Sequence, residues 1–346
     1  MTTWTAMTRS ARIWLVALTV IAAGPGWAGP TLTGVQSRGV LRCGVSEGIP
    51  GFSMPGADGR WTGMDADFCR AVAAVALGSP DKVDFVPLSA AGRFPELKNG
   101  RVDLLARTTT RTLGREANLG TEFAGTLYYD GQAFLVPAGA TVGGLDELNG
   151  GRICVAKGST HEVNLSDYFR LKRLTYTPVV LDSIVPANAK LAAGECTAVT
   201  SDASALDALR LRWPEGAASY RLLPGRISKE PFGPVVNRGD EQWLTLVRWT
   251  LFALIEAEER GITAANVRTV LDSTPDPAVQ AFLSSPGDYS VALGVKPGWV
   301  VRAVESVGNY GEVFERNLGR GSALNIDRGH NRLWTEGGLM YSPPFR

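Results

Sequence analysis

The stretch DLLARTTTRTLGRE, residues 103–116, begins as an apolar strand and turns polar within a few positions. Its strand residues are Leu104 and Leu105, and the polar residues after them are Arg107, Thr108, Thr109, Thr110, Arg111 and Arg115. Ligands of open α/β sheets bind at the carboxyl ends of strands, and a guanidinium group matches a carboxylate in shape and charge. The stretch therefore indicates an α/β sheet with an anion-binding site beyond this strand. The alternative is a set of solvated loop arginines, neutralised by Asp103, Glu116 or Glu122.

The composition of the whole chain limits the classes of function. The chain has 346 residues, of which 35 are basic and 34 acidic, so its net charge is only +1. This balance argues against binding to nucleic acid, which requires a basic face. Hydrophobic residues make up 45% of the sequence, which is enough for a packed core. The length suits two lobes or one large α/β unit.

Strand-like and helix-like segments alternate in two successive units. In the first unit, strands at 40–45, 82–88 and 101–106 alternate with helices at 65–77 and 92–100. After a turn-rich stretch at 137–144, strands at 152–156, 177–181 and 196–202 alternate with helices at 160–172, 182–195 and 203–213. This order predicts two mostly parallel sheets with flanking helices. The last third contains a long amphipathic helix at 241–261 and further helical pieces, with no third sheet.

The N-terminus has the pattern of a secretory signal peptide. Arg9 and Arg12 form a positive region, and an apolar run follows at 13–23. Small residues at Gly26 and Ala28 predict cleavage after Ala28. A buried N-terminal helix is the alternative interpretation. The apolar run is shorter than the roughly 18 residues that a membrane span needs.

The four cysteines predict disulfide bonds if the protein is exported. Cys43, Cys69, Cys154 and Cys196 allow three connectivities, and their spacing alone does not choose among them. The sequence has no CxxC pair and only two histidines, His161 and His330. It also has no Walker loop and no HExxH motif. We therefore expect no metal and no cofactor.

Two more polar strand ends occur in the second unit. Gly158, Ser159 and Thr160 lie between a strand and a helix, so their N–H groups are placed to face an anion. Asp202 ends a later strand and is a candidate acceptor for an ammonium group. Plain helix capping is the alternative for each of these segments. Together with the cluster after Leu105, these strand ends predict a site for a zwitterion, the form of a free α-amino acid.

The segment GVSEG, residues 44–48, matches the GxSxG pattern of a hydrolase nucleophile. That motif requires a helix directly after the serine. Here a Pro- and Gly-rich stretch follows, with no helix until about Asp65. A loop that lines a pocket is the simpler interpretation.

Several long motifs resemble one known family. They are RCGVSEGIPGFSMPGADGRWTGMDADFCRAVA (42–73), GSTHEVNLSDYFR (158–170), ISKEPFGPVVNRGDEQWLTLVRWTLFALIEAEERG (227–261), VGNYGEVFERNLG (307–319) and NRLWTEGGLMYSPPFR (331–346). The sequence from about Val35 to Arg346 closely resembles the general L-amino-acid-binding periplasmic proteins of polar amino-acid ABC transporters, in solute-binding protein family 3. The resemblance implies a two-lobed type II periplasmic binding fold that closes on its ligand about a two-strand hinge.

The resemblance also implies roles for individual residues. By this likeness Thr110 and Arg115 hold the ligand α-carboxylate, and the carbonyl of Arg107 or Thr108 meets the α-ammonium group. In the second lobe Ser159 and Thr160 resemble carboxylate contacts, and Asp202 resembles the ammonium acceptor. The residues that resemble a first-lobe pocket lining are Glu47, Phe52, Trp61 and Met64.

Three positions depart from the family pattern. Arg111 stands where the family commonly has an aromatic residue, and Ala156 and His161 stand where Gln and Thr are frequent. These changes keep the contacts to the common zwitterion and leave open which side chain is preferred. Arg107 and Arg111 either face solvent or favour acidic ligands.

The family likeness divides the chain into segments. We expect a signal peptide at 1–28, a first lobe at 29–137 that is completed by 227–346 with its C-terminal helical extension, and a second lobe inserted at 138–226. Crosslinks within a lobe leave hinge motion free, which predicts the pairs Cys43–Cys69 and Cys154–Cys196.

The expected function is that of a monomeric periplasmic protein without catalytic activity. It would deliver free L-amino acids to an inner-membrane ABC permease and its ATPase. The alternative is an exported dehydratase on the same fold, with Glu47 as the acid.

Overall fold

The computed structural model describes residues 1–2, 29–214, 216–284 and 287–345. The expected signal peptide and its cleavage site lie almost entirely outside the described residues. The strands are β1 (Leu41–Val45), β2 (Met54–Pro55), β3 (Trp61–Thr62), β4 (Val83–Pro87), β5 (Leu104–Leu105), β6 (Thr121–Phe123), β7 (Tyr128–Asp130), β8 (Gln132–Pro137), β9 (Gly151–Ala156), β10 (Tyr176–Leu181), β11 (Ala198–Asp202), β12 (Tyr220–Leu222), β13 (Glu230–Phe232) and β14 (Val235–Asn237).

The helices flank two five-stranded sheets. They are α1 (Pro30–Arg38), α2 (Met64–Leu77), α3 (Arg93–Lys98), α4 (Leu113–Asn118), α5 (Thr160–Lys172), α6 (Ala187–Ala192), α7 (Ala203–Arg210), α8 (Glu241–Glu259), α9 (Val267–Ser273), α10 (Pro277–Ser284), α11 (Gly287–Leu293), α12 (Trp299–Val307) and α13 (Tyr310–Asn317). None of the described helices is both long enough and apolar enough to cross a membrane.

Each sheet is mostly parallel and has one antiparallel strand. The first sheet has the order β4-β1-β5-β14-β6, in which β14 runs antiparallel to both of its neighbours. The second sheet has the order β10-β9-β11-β8-β12, in which β8 is the antiparallel strand. The two-lobed fold with mixed sheets and flanking helices agrees with the expectation from the sequence.

The chain passes between the two sheets at a short antiparallel ribbon. Strands β7 and β13 pair as Glu230 with Asp130 and Phe232 with Tyr128. Because β7 leads directly into β8 and β13 leads into β14, we call these two strands the crossing ribbon. The sequence predicted a boundary at 137/138, but β8 ends at Pro137 and already belongs to the second sheet. The passage therefore lies several residues earlier than expected.

The C-terminal third packs on the first sheet's helices and reaches the crossing ribbon. Helix α12 packs against α2 and α8. The side chain of Asn331 forms two hydrogen bonds with the backbone of Tyr129. Its Oδ1 accepts from the Tyr129 N–H at 2.6 Å, and its Nδ2 donates to the Tyr129 carbonyl at 3.1 Å. Near the end of the chain, the Phe345 ring lies 4.8 Å from the rings of Trp249 and Phe282.

Both expected disulfide bonds are present, and each lies within one lobe. Cys43 on β1 bonds Cys69 on α2, with Cα atoms 6.2 Å apart. Cys154 on β9 bonds Cys196 just before β11, with Cα atoms 5.7 Å apart. The prediction of these two pairs is confirmed.

Candidate functional site

A cleft between the two sheets lies at the carboxyl ends of six parallel strands. The strands are β1, β4 and β5 of the first sheet and β9, β10 and β11 of the second. Its polar and charged lining residues are Ser46, Glu47, Arg93, Arg107, Thr108, Thr110, Arg115, Ser159, Thr160, His161, Asp182, Ser183, Ser201 and Asp202. The strand ends that the sequence singled out therefore meet in one place, as the rule for open α/β sheets requires.

The two lobes approach closely at Gly158. Its φ is +72°, and an added Cβ would lie 2.9 Å from the Cα of Ala91 across the cleft. A side chain at this position would hold the lobes apart, so glycine is needed here.

Three arginines of the first lobe line the cleft. The Nε of Arg107 donates to the Leu88 carbonyl at 2.8 Å, and Nη1 of Arg115 donates to the Thr110 carbonyl at 2.6 Å. Burial lowers the pKa of each of these two guanidinium groups to about 10. Both groups remain charged at neutral pH, so the first lobe presents two guanidinium cations to the cleft.

Arg93, the third arginine, is the most buried and was missed by the sequence analysis. Arg93 is the first residue of α3, the helix that follows β4 in the chain, and it is only 3% exposed. Among the described residues its Nε has no hydrogen-bond partner. Burial, with repulsion from Arg107 and Arg115, holds the pKa of Arg93 well below its usual range. A buried cation without a bonded carboxylate is costly, and an anionic ligand group would remove much of that cost.

Arg111, by contrast, lies outside the cleft. It is exposed and forms an ion pair with Glu116 at 3.0 Å. The idea that Arg111 favours acidic ligands is therefore not supported, and the solvent-facing alternative describes its position. The helix α4 that follows is capped by Thr112, whose hydroxyl accepts from the Arg115 N–H at 3.2 Å. This cap places Arg115 on the cleft side.

The backbone after β5 turns sharply at Thr108. This residue has a φ of +43°, which is rare for a residue with a side chain. Its N–H donates to the Asp65 carboxyl at 3.1 Å. Burial raises the pKa of Asp65 to about 7, and this hydrogen bond and Arg107 offset only part of the effect. The turn brings Thr108 and Thr110 to the cleft together.

Glu230 on the crossing ribbon collects four hydrogen bonds behind the cleft. Its Oε2 accepts from the hydroxyls of Thr110 at 2.5 Å and Thr160 at 2.9 Å. Its Oε1 accepts from the amide of Asn164 at 2.7 Å and the hydroxyl of Ser228 at 2.6 Å. These donors come from both lobes and from the crossing segment. The sequence analysis did not single out Glu230.

The second lobe contributes the N-terminus of α5. Ser159 is the N-cap residue, but its hydroxyl donates to the Ala156 carbonyl at 2.6 Å and makes no capping bond. Asp202 likewise precedes α7 without a side-chain cap. Neither side chain forms the hydrogen bond to a backbone N–H that the alternative interpretation, plain helix capping, requires. Both residues line the cleft.

Asp202 is paired with His161. The Nε2 of His161 lies 3.0 Å from Asp202 Oδ1, and both residues are buried. Burial alone would lower the pKa of His161, but the adjacent Asp202 outweighs it and raises this pKa above the usual value. The ligand atoms of His161, Asp202 and Glu230 lie within 4.8 Å of one another. The four bonds to Glu230 and the nearby Arg115 disfavour a metal ion there.

The four expected pocket residues of the first lobe separate into two groups. Glu47 lines the cleft. The structure does not bring Phe52, Trp61 and Met64 to it. Phe52 packs edge-on against Tyr128 at 5.4 Å, Trp61 stacks on Phe85 at 5.8 Å, and Met64 is fully buried at the start of α2. These apolar side chains belong to the core that supports the crossing ribbon.

The GVSEG segment does not form a nucleophile site. Ser46 is fully buried, and its hydroxyl pairs with that of Ser53 at 2.5 Å. The next helix begins only at Met64. The hydrolase interpretation therefore lacks both an exposed serine and the helix that must follow it.

Comparison with known proteins agrees with this architecture. The family model of bacterial extracellular solute-binding proteins, family 3, matches residues 41–262. The general L-amino acid-binding periplasmic protein AapJ of Rhizobium johnstonii is 46% identical over 330 residues, which cover 94% of this chain and 96% of AapJ. The glutamate/glutamine/aspartate/asparagine-binding protein BztA of Rhodobacter capsulatus is 45% identical over 340 residues, which cover 98% of this chain and all of BztA.

A solved structure is similar over most of the chain. It is an ABC transporter periplasmic binding protein from Brucella ovis with glutathione bound, which is 46% identical and has a TM-score of 0.88. The match covers 91% of this chain and 99% of that protein. The family model and these relatives together span both sheets and the C-terminal extension. The chain belongs to the bacterial extracellular solute-binding proteins of family 3.

Proposed function

We propose that this protein captures free L-amino acids by their α-carboxylate and α-ammonium groups and delivers them to an ABC transporter permease. The observation that carries the proposal is one cleft that holds buried guanidinium groups and a buried carboxylate at the ends of six parallel strands. A free amino acid has the matching pair of charges. AapJ and BztA are named as amino-acid-binding proteins, and the Brucella protein is named as an ABC transporter periplasmic binding protein. The protein is a solute-binding protein and not an enzyme, so the dehydratase alternative with Glu47 as the acid is not retained.

In this proposal Arg115 binds the α-carboxylate. It lines the cleft, and its Nη1 bond to the Thr110 carbonyl fixes the direction of the guanidinium group. The remaining N–H groups can bond a carboxylate in bidentate fashion. The backbone N–H groups at the start of α5 would meet the same anion from the other lobe. The hydroxyl of Ser159 donates its only proton to the Ala156 carbonyl, so this side chain is not retained as a carboxylate contact.

Asp202 and two threonine hydroxyls would bind the α-ammonium group. Asp202 is buried at the end of β11 and lines the cleft. Thr110 and Thr160 donate their only hydroxyl protons to Glu230. Towards the ligand these two side chains therefore offer lone pairs, which suit an ammonium group better than a carboxylate. This changes the role that the family likeness implied for the hydroxyls of both residues.

The cleft favours ligands with a second acidic group. Arg93 and Arg107 lie beside Arg115, and burial lowers the pKa of all three. Among the three, Arg93 has no hydrogen-bond partner at its Nε in the described residues, and an α-carboxylate bound to Arg115 leaves that N–H group unpaired. A ligand such as glutamate would supply the second anion, with Arg93 as its partner. BztA is named for glutamate and aspartate among its ligands, and the Brucella protein holds glutathione, which is also a dicarboxylate.

The remaining parts of the proposal concern location and partners. We place the protein in the periplasm after removal of residues 1–28, as a monomer that docks on an inner-membrane permease with its ATPase. Transporter-binding proteins among the curated relatives support this assignment.

Two measurements test the proposed function. Mass spectrometry of small molecules released by gentle unfolding of the purified protein should identify amino acids. Titration calorimetry should then find glutamate binding more tightly than leucine. Protein that releases no amino acid, and binds none of the common ones, would contradict the proposal. Turnover of a bound carboxylic acid would contradict the absence of catalysis.

A further inference from the structure

The two carboxylate oxygens of Glu230 accept their four hydrogen bonds from different donors. Oε2 accepts only from the hydroxyls of Thr110 and Thr160, while Oε1 accepts from the amide of Asn164 and the hydroxyl of Ser228. Glu230 is 1% exposed, so water does not compete for these donors. A carboxylate has no proton to give, and every one of the four groups must therefore act as the donor.

This arrangement fixes the direction of two hydroxyl protons. A threonine hydroxyl carries one proton and two lone pairs. Because both protons point to Glu230, the sides of Thr110 and Thr160 that face the cleft can only accept hydrogen bonds. Both residues line the cleft, whereas Glu230, Asn164 and Ser228 stand behind it.

The same carboxylate joins the two lobes. Thr110 belongs to the segment after β5, while Thr160 and Asn164 lie on α5 of the second lobe. Glu230 itself is on the crossing ribbon and pairs with Asp130. Donors from both lobes therefore meet at Glu230, which holds the two acceptor hydroxyls in one place.

We propose that Glu230 is a positioning residue, which makes the cleft selective for ligands with an ammonium group by holding Thr110 and Thr160 as acceptors when the lobes close. The inference rests on the proposed function, since it concerns the same cleft. It predicts a role in discrimination between an amino acid and the same acid without its amino group. A residue that only supported the fold would affect both ligands alike.

The variant Glu230→Gln tests this role because it changes the direction of the hydrogen bonds. The amide of Asn164 donates to Oε1, so the glutamine oxygen should remain on that side. The glutamine NH2 group then faces the two threonines and donates to them. Their hydroxyl protons must turn away, into the cleft, where they oppose an ammonium group and suit an anion.

The assay compares L-glutamate with glutarate, which has both carboxylates and lacks the amino group. Titration calorimetry of the wild-type protein should find glutamate bound on the order of 10⁴-fold more tightly than glutarate, as for other sites built around a hydrogen-bonding group. In Glu230→Gln this preference should fall by about 10- to 100-fold, the value of a hydrogen bond to a charged group. If another amino acid binds best, it and its deaminated acid replace this pair.

Asn164→Ala is the matched control variant. It removes a donor to Glu230 from the second lobe but leaves the threonine protons in place. We expect it to weaken both ligands by a similar factor, so that the preference stays within about threefold of the wild-type value. Thr160→Val, which removes one acceptor, should reduce the preference as Glu230→Gln does, and it serves if the glutamine variant does not fold.

The outcomes separate this inference from the proposed function. A wild-type protein that binds no amino acid contradicts the proposed function. A second outcome would refute the positioning role alone. In it the wild-type protein prefers glutamate, but the variants at Glu230 and Thr160 weaken the binding of both ligands equally or weaken neither. A preference that falls in Asn164→Ala as much as in Glu230→Gln would also refute it.

Discussion

Replacing Arg93 by methionine tests whether this buried cation recognises a second acidic group on the ligand. Arg93 is 3% exposed, and its Nε has no hydrogen-bond partner among the described residues. Methionine keeps the length and apolar stem of the side chain and can still contact the ring of Phe94, which now lies 4.9 Å from the guanidinium carbon. The substitution therefore removes a charge while it leaves the packing largely intact.

The expected loss can be estimated from the burial of the pair. Loss of one partner of a buried, hydrogen-bonded charge pair costs about 2–5 kcal/mol, which corresponds to a roughly 30- to 5,000-fold weaker binding of glutamate. Leucine and glutamine bring no second carboxylate, so their affinities should change little. The ligand-free protein should become more stable, because an ion taken out of water without a bonded partner costs several kcal/mol, roughly 1 kcal/mol or more of which should be regained. Its Tm should therefore rise by at least about 2 °C.

Titration calorimetry with glutamate, glutamine and leucine, together with thermal unfolding without ligand, checks both effects. Arg111→Met is the matched control, since Arg111 is exposed and paired with Glu116. We expect it to change neither affinity nor Tm. Equal losses for all three amino acids in Arg93→Met, or a Tm below that of the wild-type protein, would refute the reasoning.

Three further predictions follow from named contacts. Arg115→Ala and Asp202→Asn should each weaken glutamate, glutamine and leucine alike, by about 2–5 kcal/mol in calorimetry, because every amino acid carries the same two charged groups; a loss confined to one ligand would contradict the assignment. Removal of the Cys154–Cys196 bond by serine substitutions should lower the free energy of unfolding by about 2–4 kcal/mol in a denaturant titration, while a folded variant that loses ligand binding would contradict a purely structural role. Burial raises the pKa of Asp65 from 3.8 to about 7, so the folded state holds this proton more tightly than the unfolded state. The free energy of unfolding should therefore fall as pH rises from about 4 to about 7. Asp65→Asn should flatten this part of a pH series of unfolding curves, and an unchanged slope would count against the prediction.

Regular segments with strong periodicity were predictable from the sequence. Helix α5 was expected at 160–172 and is observed at Thr160–Lys172, because an amphipathic run follows a Gly-Ser-Thr turn. The expected long helix at 241–261 is observed at Glu241–Glu259. Asp202 ends β11, and Arg115 lies in the segment after β5, so both could be placed near the cleft because parallel strands end on one edge.

The parts that were missed depend on long-range packing. Arg93 begins a six-residue helix and looks like an ordinary surface residue in the sequence, and only its position beside β4 and the cleft buries it. Glu230 lies on a three-residue strand, which is too short to give a periodic signal. Phe52 was expected in the pocket, but an aromatic side chain near a cleft serves equally well as core, and here it packs on Tyr128 and Phe232.

The order of the strands has a consequence for the order in which the two lobes fold. Strand β14 lies between β5 and β6 in the first sheet, although it follows every strand of the second sheet in the chain. A chain that emerges N-terminus first therefore has β1 beside β5 but leaves the other edge of β5 unpaired until Asn237 has emerged. The strands of the second sheet are contiguous from Gln132 to Leu222 and can pair earlier. We expect the second lobe to fold first, while one edge of β5 stays unpaired, and therefore prone to aggregation, until β14 joins it.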